Sequence, residues 1–421
     1  MKISLIQPGR NNLKYLKWSY DSIRKNQGDH EVQICVADDA STDGTWGWCQ
    51  QMMEKDPNFQ AIRNETGKRL GHTILYDTLV NEVAKHDICM IYHADMYLCP
   101  GALDVIEKHM YGTEEEPVVE SRIVSLTRIE PPLHPPGPEK ILLDCGIEPE
   151  EFDEGMLLTQ VERLKTENKT TEGIFAPWAF WKKDFQDMGG HDPIFAPQSK
   201  EDTDIFNRFQ LNGVEFIQTW EGFVYHMTCR GSRFADGAKR NPNGEVFMKN
   251  RETEEWLNQN QKSTREFIRK WGHFCKHDEF LKPIIPPKYD IGFLVKNCSY
   301  KVLSALEPWC STLYTDTWLE RHEYILSEQP NTSFNLEERI LPIERYDYPE
   351  KSVYKNDIWI RIDGNNFNQQ DFQYINSLAE ILDNDEDLIE HIGDSFQLGN
   401  LQITINSLKT YEKNLIICKG I

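Results

Sequence analysis

The chain has 421 residues, 39% hydrophobic and 11% aromatic, enough to fill the cores of two domains and too apolar for a disordered chain. Its 68 acidic residues against 46 basic ones leave a net charge of −22, a surface that repels phosphate backbones and anionic lipid, so nucleic acid is not an expected partner. No run reaches the roughly 18 consecutive apolar residues of a membrane-spanning helix. Met1–Pro8 carries no apolar signal region. Ten cysteines form no C-x-x-C pair, and Cys35, Cys89 and Cys418 lie within apolar runs, which predicts reduced, structural thiols and a cytoplasmic setting.

In chain order, Ile3–Gln7 reads as a buried strand closed by Pro8-Gly9, and Leu13, Leu16, Tyr20 and Ile23 give a helix its apolar face. Val32–Ala37 is a second strand, ending in the polar turn Asp38-Asp39-Ala40-Ser41-Thr42-Asp43-Gly44-Thr45, which caps a helix through Trp48 and Met52. Ala61–Arg63 is a short third strand, His72–Lys85 a helix, and Ile88–Tyr92 a strand that stops at His93-Ala94-Asp95. Such alternation implies right-handed crossovers and a mainly parallel sheet with flanking helices, which binds ligands beyond the carboxyl ends of its strands. Both Asp38-Asp39 and His93-Ala94-Asp95 fall at such ends. Further on, Val118–Ile129 is strand-like, residues 131–138 form an irregular proline-rich loop, and Gly173–Trp181 is an aromatic strand or loop. Glu201–Leu211 is a helix ended by Asn212-Gly213, and Phe216 and Phe223–His226 are extended. A charged helix covers Glu252–Arg269, and Pro283, Pro286 and Pro287 mark a boundary. Beyond it, Trp359–Ile362 and Leu401–Ile405 read as strands around a helix near Ile375–Leu382. The acidic run Asp383–Asp387 lacks the glycine and spaced ligands of a calcium loop and reads as a solvated face.

Three carboxylate groups stand where a phosphate-handling transferase needs them. Acids at strand ends can hold a divalent cation against a leaving diphosphate, and a separate acid can deprotonate an acceptor hydroxyl. Asp38-Asp39, Asp95 and Glu201-Asp202 supply these. The segments Ile6–Asn11 and Val36–Thr45, with His93-Ala94-Asp95 and Pro100-Gly101, resemble the opening and the D-x-D region of family-2 glycosyltransferases with a GT-A fold. Gly189-Gly190-His191-Asp192, then Glu201-Asp202-Thr203-Asp204 and Arg208, are similar to that family's "GG-x-D … ED-x-D … R" segment. The resemblance covers roughly residues 1–230. It implies that Pro8 lines the nucleotide pocket, that Asp39 accepts a hydrogen bond from the base with Asp38 supporting the turn, and that Arg69 approaches the nucleotide. It further implies that Asp95 and His226 bind a metal and that Asp202 is the base of an inverting displacement. The first D-x-D aspartate is His93 here, which either coordinates, favouring Mn2+ over Mg2+, or leaves Asp95 to the metal alone. Glu201, and Trp178 as a stacking surface, are candidates for contact with acceptor or sugar.

The expected protein is therefore a metal-dependent glycosyltransferase that moves one hexosyl or N-acetylhexosaminyl group from a nucleoside-diphosphate sugar, a UDP-sugar being the expectation. The acceptor would be a glycan, a lipid-linked molecule or a protein. The chain lacks the Q-x-x-R-W motif of processive synthases, which points to single-sugar transfer. A nucleotidyltransferase and a non-catalytic sugar-binding or assembly protein are the alternatives. The former wants a basic glycine-rich loop that Pro8-Gly9-Arg10-Asn11 only poorly provides. The expected domains are a GT-A-like domain over 1–230, a helical extension over 231–282 and a small α/β module over 289–421, the last serving acceptor recognition or homo-oligomer formation.

Overall fold

The computed structural model describes residues 1–112, 118, 121–228, 238–248, 253–343, 355–384 and 392–418. Glu252, at the expected start of the charged helix, and residues 385–387 of the acidic run lie outside them. The chain divides into two compact units, one comprising Met1–Leu257, His277–Pro283 and Ile417–Ile421, the other Asn258–Lys276 and Ile284–Ile416.

In the first unit, β1 (Lys2–Gly9), β2 (Glu31–Asp38), β3 (Phe59–Arg63) and β4 (Ile88–Ile91) lie parallel in the order β3-β2-β1-β4. Ile3, Leu5, Ile6, Ile34 and Ile88 are wholly buried. Near-continuous apolar runs of this kind belong to parallel strands covered on both faces. Helices α1 (Leu13–Asn26), α2 (Thr45–Lys55) and α3 (His72–Thr78) make the crossovers. The turn after β2 does capping work for two of them. Asp43 accepts from the Leu13 amide at 3.0 Å at the start of α1 and from the Thr45 amide at 3.1 Å at the start of α2. Ser41 and Asn11 tie the β1 and β2 loops together across the sheet end.

The expected helix His72–Lys85 is α-helical only to Thr78, and Leu79–Val83 widens into a π turn. Its end is set from β2: the Gln33 amide donates to the Val83 carbonyl at 3.0 Å and accepts from the Lys85 amide at 2.8 Å. Those side-chain bonds satisfy backbone groups that another helical turn would have used.

The remaining elements of this unit are β5 (Met96–Leu98), α4 (Ala102–Tyr111), β6 (Arg122–Glu130), β7 (Lys140–Leu142), α5 (Glu154–Leu164), β8 (Thr170–Thr171), β9 (Trp178–Trp181), α6 (Lys182–Asp187), α7 (Glu201–Leu211) and β10 (Glu215–His226). They extend the sheet as β4-β9-β6-β10-β5, with β9 and β5 antiparallel to their neighbours, so the sheet is parallel in one half and mixed in the other. The proline-rich stretch 131–138 is irregular, as expected. A short hairpin, β11 (Ala238–Arg240) with β12 (Val246–Met248), follows, and then α8 (Glu254–Trp271), which from Asn258 on belongs to the second unit.

The second unit is also α/β. Its sheet runs β15 (Ile340–Pro342), β14 (Thr312–Thr315), β13 (Ile291–Lys296), β16 (Ile358–Asp363), β18 (Leu401–Ile405), β17 (Ser395–Leu398), with the first four parallel. Phe293, Val295, Leu303, Leu313, Ile360 and Ile403 are fully buried in its core. The single helix expected near Ile375–Leu382 is two, Gln369–Asn376 and Leu378–Asn384, broken at Ser377. Every described cysteine is free, and most are buried. No helix among the described residues is long and apolar enough to cross a membrane.

Candidate functional site

Strand register brings three predicted metal ligands together. The antiparallel pairing of β10 with β5 sets His226 opposite Met96, one residue from Asp95, and the Met227 amide bonds the Asp95 carbonyl at 3.0 Å. The parallel pairing of β10 with β6 sets Tyr225 opposite Ile129, so His226 also lies beside Glu130. That pairing shifts register between Thr219 and Phe223, and this bulge fixes which side chain arrives at the site. His93 lies just beyond β4, in the turn closed by the Met96 amide on the His93 carbonyl at 3.2 Å. The result is one cluster in which a ligand atom from each of His93, Asp95 and His226 lies within 4.8 Å of the others.

The charges around it are arranged for a cation. His226 Nε2 is 3.4 Å from Asp95 Oδ1, and its Nδ1 bonds Glu130 Oε1 at 2.9 Å. A carboxylate behind the ring fixes its orientation and raises its basicity as a ligand. Burial alone would lower the pKa of His226, but the carboxylates of Asp95 and Glu130 outweigh it and lift it to about 9. Burial, then the neighbouring His226, depresses His93 to about 3, so its imidazole is neutral and ready to donate a lone pair. Glu130 is held down at about 2: burial opposes ionisation, yet the His226 hydrogen bond and Arg128 prevail. Two imidazoles and a carboxylate, oriented by a further carboxylate, form a donor set that fits a divalent transition metal.

This cluster opens into a cleft of about 380 Å³ lined by Pro8 of β1, by Asn12 just before α1, by His72 and Tyr76 of α3, and by Arg128, Lys140 and Phe175. Of the residues expected at the nucleotide, Pro8 therefore reaches the cleft. Asp38 is wholly buried beneath its turn, where Oδ1 accepts from the Ser41 amide at 3.0 Å and Arg63 approaches to 3.4 Å. The Asp39 carboxylate is taken up by the following loop: it accepts from Asn64 Nδ2 at 2.6 Å and from the amides of Leu70 and Gly71 at 3.0 Å each. Arg69 donates to Gln198 at 2.6 Å, with its Nε 4.0 Å from Asp39. Gly71 must be glycine, since its φ is +80° and a Cβ would stand 2.0 Å from the Pro197 carbonyl oxygen.

Glu201 and Asp202 open α7 after two left-handed residues, Ser199 and Lys200, with φ of +84° and +75°. Neither acid lines the cleft, but Tyr76 connects the two places. Its hydroxyl is driven well up, first by burial and then by the charges of Asp202, Glu201 and Asp95. Burial also pushes the carboxyls of Glu201 and Asp202 upward, and for Glu201 the charge of Asp202 adds to the effect. A raised carboxyl is the environment of a general base. The sugar-stacking expectation for Trp178 is corrected. Its ring is 1% exposed, packed against Phe180, Phe206 and Phe209 at 4.6–6.0 Å between centroids, and leaves no face for a ligand.

Sequence reasoning missed Glu130, Arg128 and Tyr76. Glu130 carried the same signal as Asp95, a charged residue at the carboxyl end of an apolar strand, but the strand was read as ending at Ile129. Arg128 pairs with Glu130, two residues on, at 2.9 Å, and lies over the Phe175 ring at 3.8 Å, a contact across 47 positions that leaves no local trace.

No curated protein sequence matches the chain significantly. Similar solved structures include a mannosyltransferase from Pyrobaculum calidifontis, PcManGT, in complex with GDP-Man and Mn2+, at 14% identity and a TM-score of 0.37, covering 62% of this chain and 61% of that one. Another is TarS from S. aureus in complex with UDP, at 17% identity and a TM-score of 0.35, covering 52% of this chain and 60% of that one. The chain thus spans about six-tenths of the length of these two structures. Residues 4–134, from β1 to the loop after β6, match the family model described as Glycosyl transferase family 2, and over that segment the chain is family-2-like, with a GT-A fold.

Proposed function

We propose that the first unit transfers a single sugar from a nucleoside-diphosphate sugar, a UDP-sugar in the first instance, to a hydroxyl acceptor with inversion at the anomeric carbon. The observation that carries this reading is the His93–Asp95–His226 donor set at the carboxyl end of a parallel sheet, facing a cleft with Pro8 on its rim. His93, Asp95 and His226 would hold a divalent metal, Mn2+ in preference to Mg2+ because two of the three donors are imidazoles. Such a cation supplies Lewis-acid stabilisation of the departing diphosphate.

The chain's own residues do the rest. Asp39 holds the 64–71 loop at the nucleotide end of the cleft, and this loop, with Arg69 on it, is where the base and ribose are read. Asp202 accepts the proton of the acceptor hydroxyl while the acceptor oxygen bonds to the anomeric carbon on the face opposite the leaving nucleotide. The bond to the diphosphate breaks in the same step, which inverts that carbon. Glu201, buried beside Asp202, keeps the base in a desolvated setting. The second unit, Ile284–Ile416 above all, is assigned to acceptor recognition or self-association.

Asp202→Asn tests the mechanism, because asparagine keeps the shape of the side chain but takes no proton. It should bind UDP and Mn2+ as the wild type does in calorimetry and lose turnover by about 10²–10⁴-fold. Full turnover in that variant would refute the role of Asp202.

A further inference from the structure

Four charged side chains from β6, β7 and the residue before β7 line the cleft, and the metal cluster uses only one of them, Glu130. In the parallel pairing of the two strands Arg128 stands beside Lys140, like charges on adjacent strands that repel unless acids lie between them. Glu130 and Glu139 are those acids. Arg128 lies 2.9 Å from Glu130 and 3.6 Å from Glu139, while Lys140 lies 3.8 Å from Glu130 and 3.4 Å from Glu139. The Glu139 end of the quartet is fixed from two sides. Gln218 donates to the Glu139 carbonyl at 2.7 Å, and a Cβ on Gly137 would stand 2.0 Å from Glu139 Oε2, so glycine leaves the carboxylate its place.

Two members of the quartet are satisfied and two are not. Arg128 hydrogen-bonds Glu130 and lies over the Phe175 ring, and Glu130 also holds His226. The Lys140 and Glu139 side chains are each only 10% exposed, yet their polar ends meet the other charges through ion-pair distances of 3.4–3.8 Å and make no hydrogen bond to any described residue. Burying an ammonium and a carboxylate is costly, and such loose pairs recover little of the cost. Both side chains line the cleft, where a ligand can supply the missing bonds.

The charges also say what kind of ligand. Two cations and two anions cancel, so a negative group entering here would face Glu130 and Glu139, and a positive one Arg128 and Lys140. A neutral group that donates and accepts at once satisfies both ends, and sugar hydroxyls do this. The quartet adjoins the metal cluster through Glu130, which bonds His226, itself 3.4 Å from Asp95. A diphosphate at that cation brings its attached sugar to this wall.

We infer that Lys140 and Glu139, steadied by Arg128 and Glu130, form the subsite that reads the hydroxyls of the donor sugar, and that this sugar is uncharged and not a uronic acid. The inference rests on the donor reading above.

The test is calorimetry on the full chain with Mn2+, using UDP, UDP-glucose and UDP-glucuronate, with GDP and GDP-mannose alongside. The wild type should bind UDP-glucose more tightly than UDP-glucuronate. Lys140→Met keeps the stem and loses the ammonium, and Glu139→Gln keeps the shape and loses the charge. Each should leave UDP affinity unchanged and weaken UDP-glucose by about 10–100-fold, the loss of one hydrogen bond to a charged group. The two should act oppositely on the acid: Glu139→Gln should narrow the gap between UDP-glucuronate and UDP-glucose, and Lys140→Met should widen it. A merely structural ion pair would move all ligands together, and that result would overturn the inference, as would unchanged UDP-glucose affinity in both variants. If either single variant does not fold, the double variant Glu139→Gln/Lys140→Met, which leaves no charge without its partner, should bind UDP as the wild type does and UDP-glucose more weakly. Wild-type affinity for UDP-glucose in that double variant would again overturn the inference. A wild type that binds neither the uridine nor the guanosine ligands would overturn the donor reading itself, and the subsite with it.

Discussion

At the scale of single residues, each of the three donors would give the cation something different. Asp95 brings the only negative charge among the three clustered ligands, so Asp95→Ala should abolish Mn2+-dependent thermal stabilisation while leaving the apo protein folded. His93→Ala should weaken that stabilisation less. Equal losses at the two positions, in a thermal-shift titration, would show that the ranking is wrong. Glu130 never touches the cation in this scheme, yet its 2.9 Å bond to Nδ1 aims His226. Glu130→Gln should therefore lower Mn2+ affinity by about 10–100-fold with the ligands intact, measurable by calorimetry. These residues differ in how readable they were. Asp95, His93 and His226 follow apolar strands and could be picked out one by one. Their convergence could not, because it depends on the register shift within β10. Trp178 misled because an aromatic-rich strand looks the same in sequence whether its rings face a ligand or other rings.

At the scale of elements, the first four strands and three crossovers were legible because buried parallel strands and amphipathic helices leave strong local periodicity. The end of the third crossover was not, since it is decided by Gln33, a residue about fifty positions upstream. β5 and β7 are three residues each, too short for any pattern, and in the second unit β13, β14 and the helices beside them went unread. The loop 64–71 gives a test of how an element serves the site. Three hydrogen bonds converge on Asp39 from this loop, so Asp39→Ala removes its anchor. Nucleotide binding should weaken by roughly 1–3 kcal/mol, the cost of leaving buried donors unpaired. Calorimetry with UDP checks it, and unchanged affinity would remove the loop from the nucleotide site.

At the scale of the whole molecule, two α/β units share the chain, and the second carries a buried ionic network that sets its response to acid. Glu307 is 1% exposed and meets Arg269 at 2.7 Å, Arg339 at 2.8 Å and the Tyr324 hydroxyl at 2.8 Å. Burial opposes its charge, but the arginines prevail and hold it near 2, from an ordinary value of 4.5. A depressed carboxyl stabilises the fold fully above the unfolded-state value and loses that contribution as pH falls through the folded one. This contribution, on the order of 3 kcal/mol, should thus disappear between about pH 4.5 and pH 2. Denaturant unfolding followed through that range checks it, and Glu307→Gln should flatten the dependence at a cost of about 3–5 kcal/mol at neutral pH. The net charge of −22 fits a protein whose cationic needs at the cleft are met by a bound metal and a few paired basic side chains. In the proposed reading this cleft activates a nucleotide-sugar through a cation held by His93, Asp95 and His226. Release of UDP from a panel of UDP-sugars by the full chain tests it most directly. UDP should be released with Mn2+, release should cease on adding a chelator, and it should be absent in Asp95→Ala. Release undiminished by chelator, or by Asp95→Ala, would contradict it.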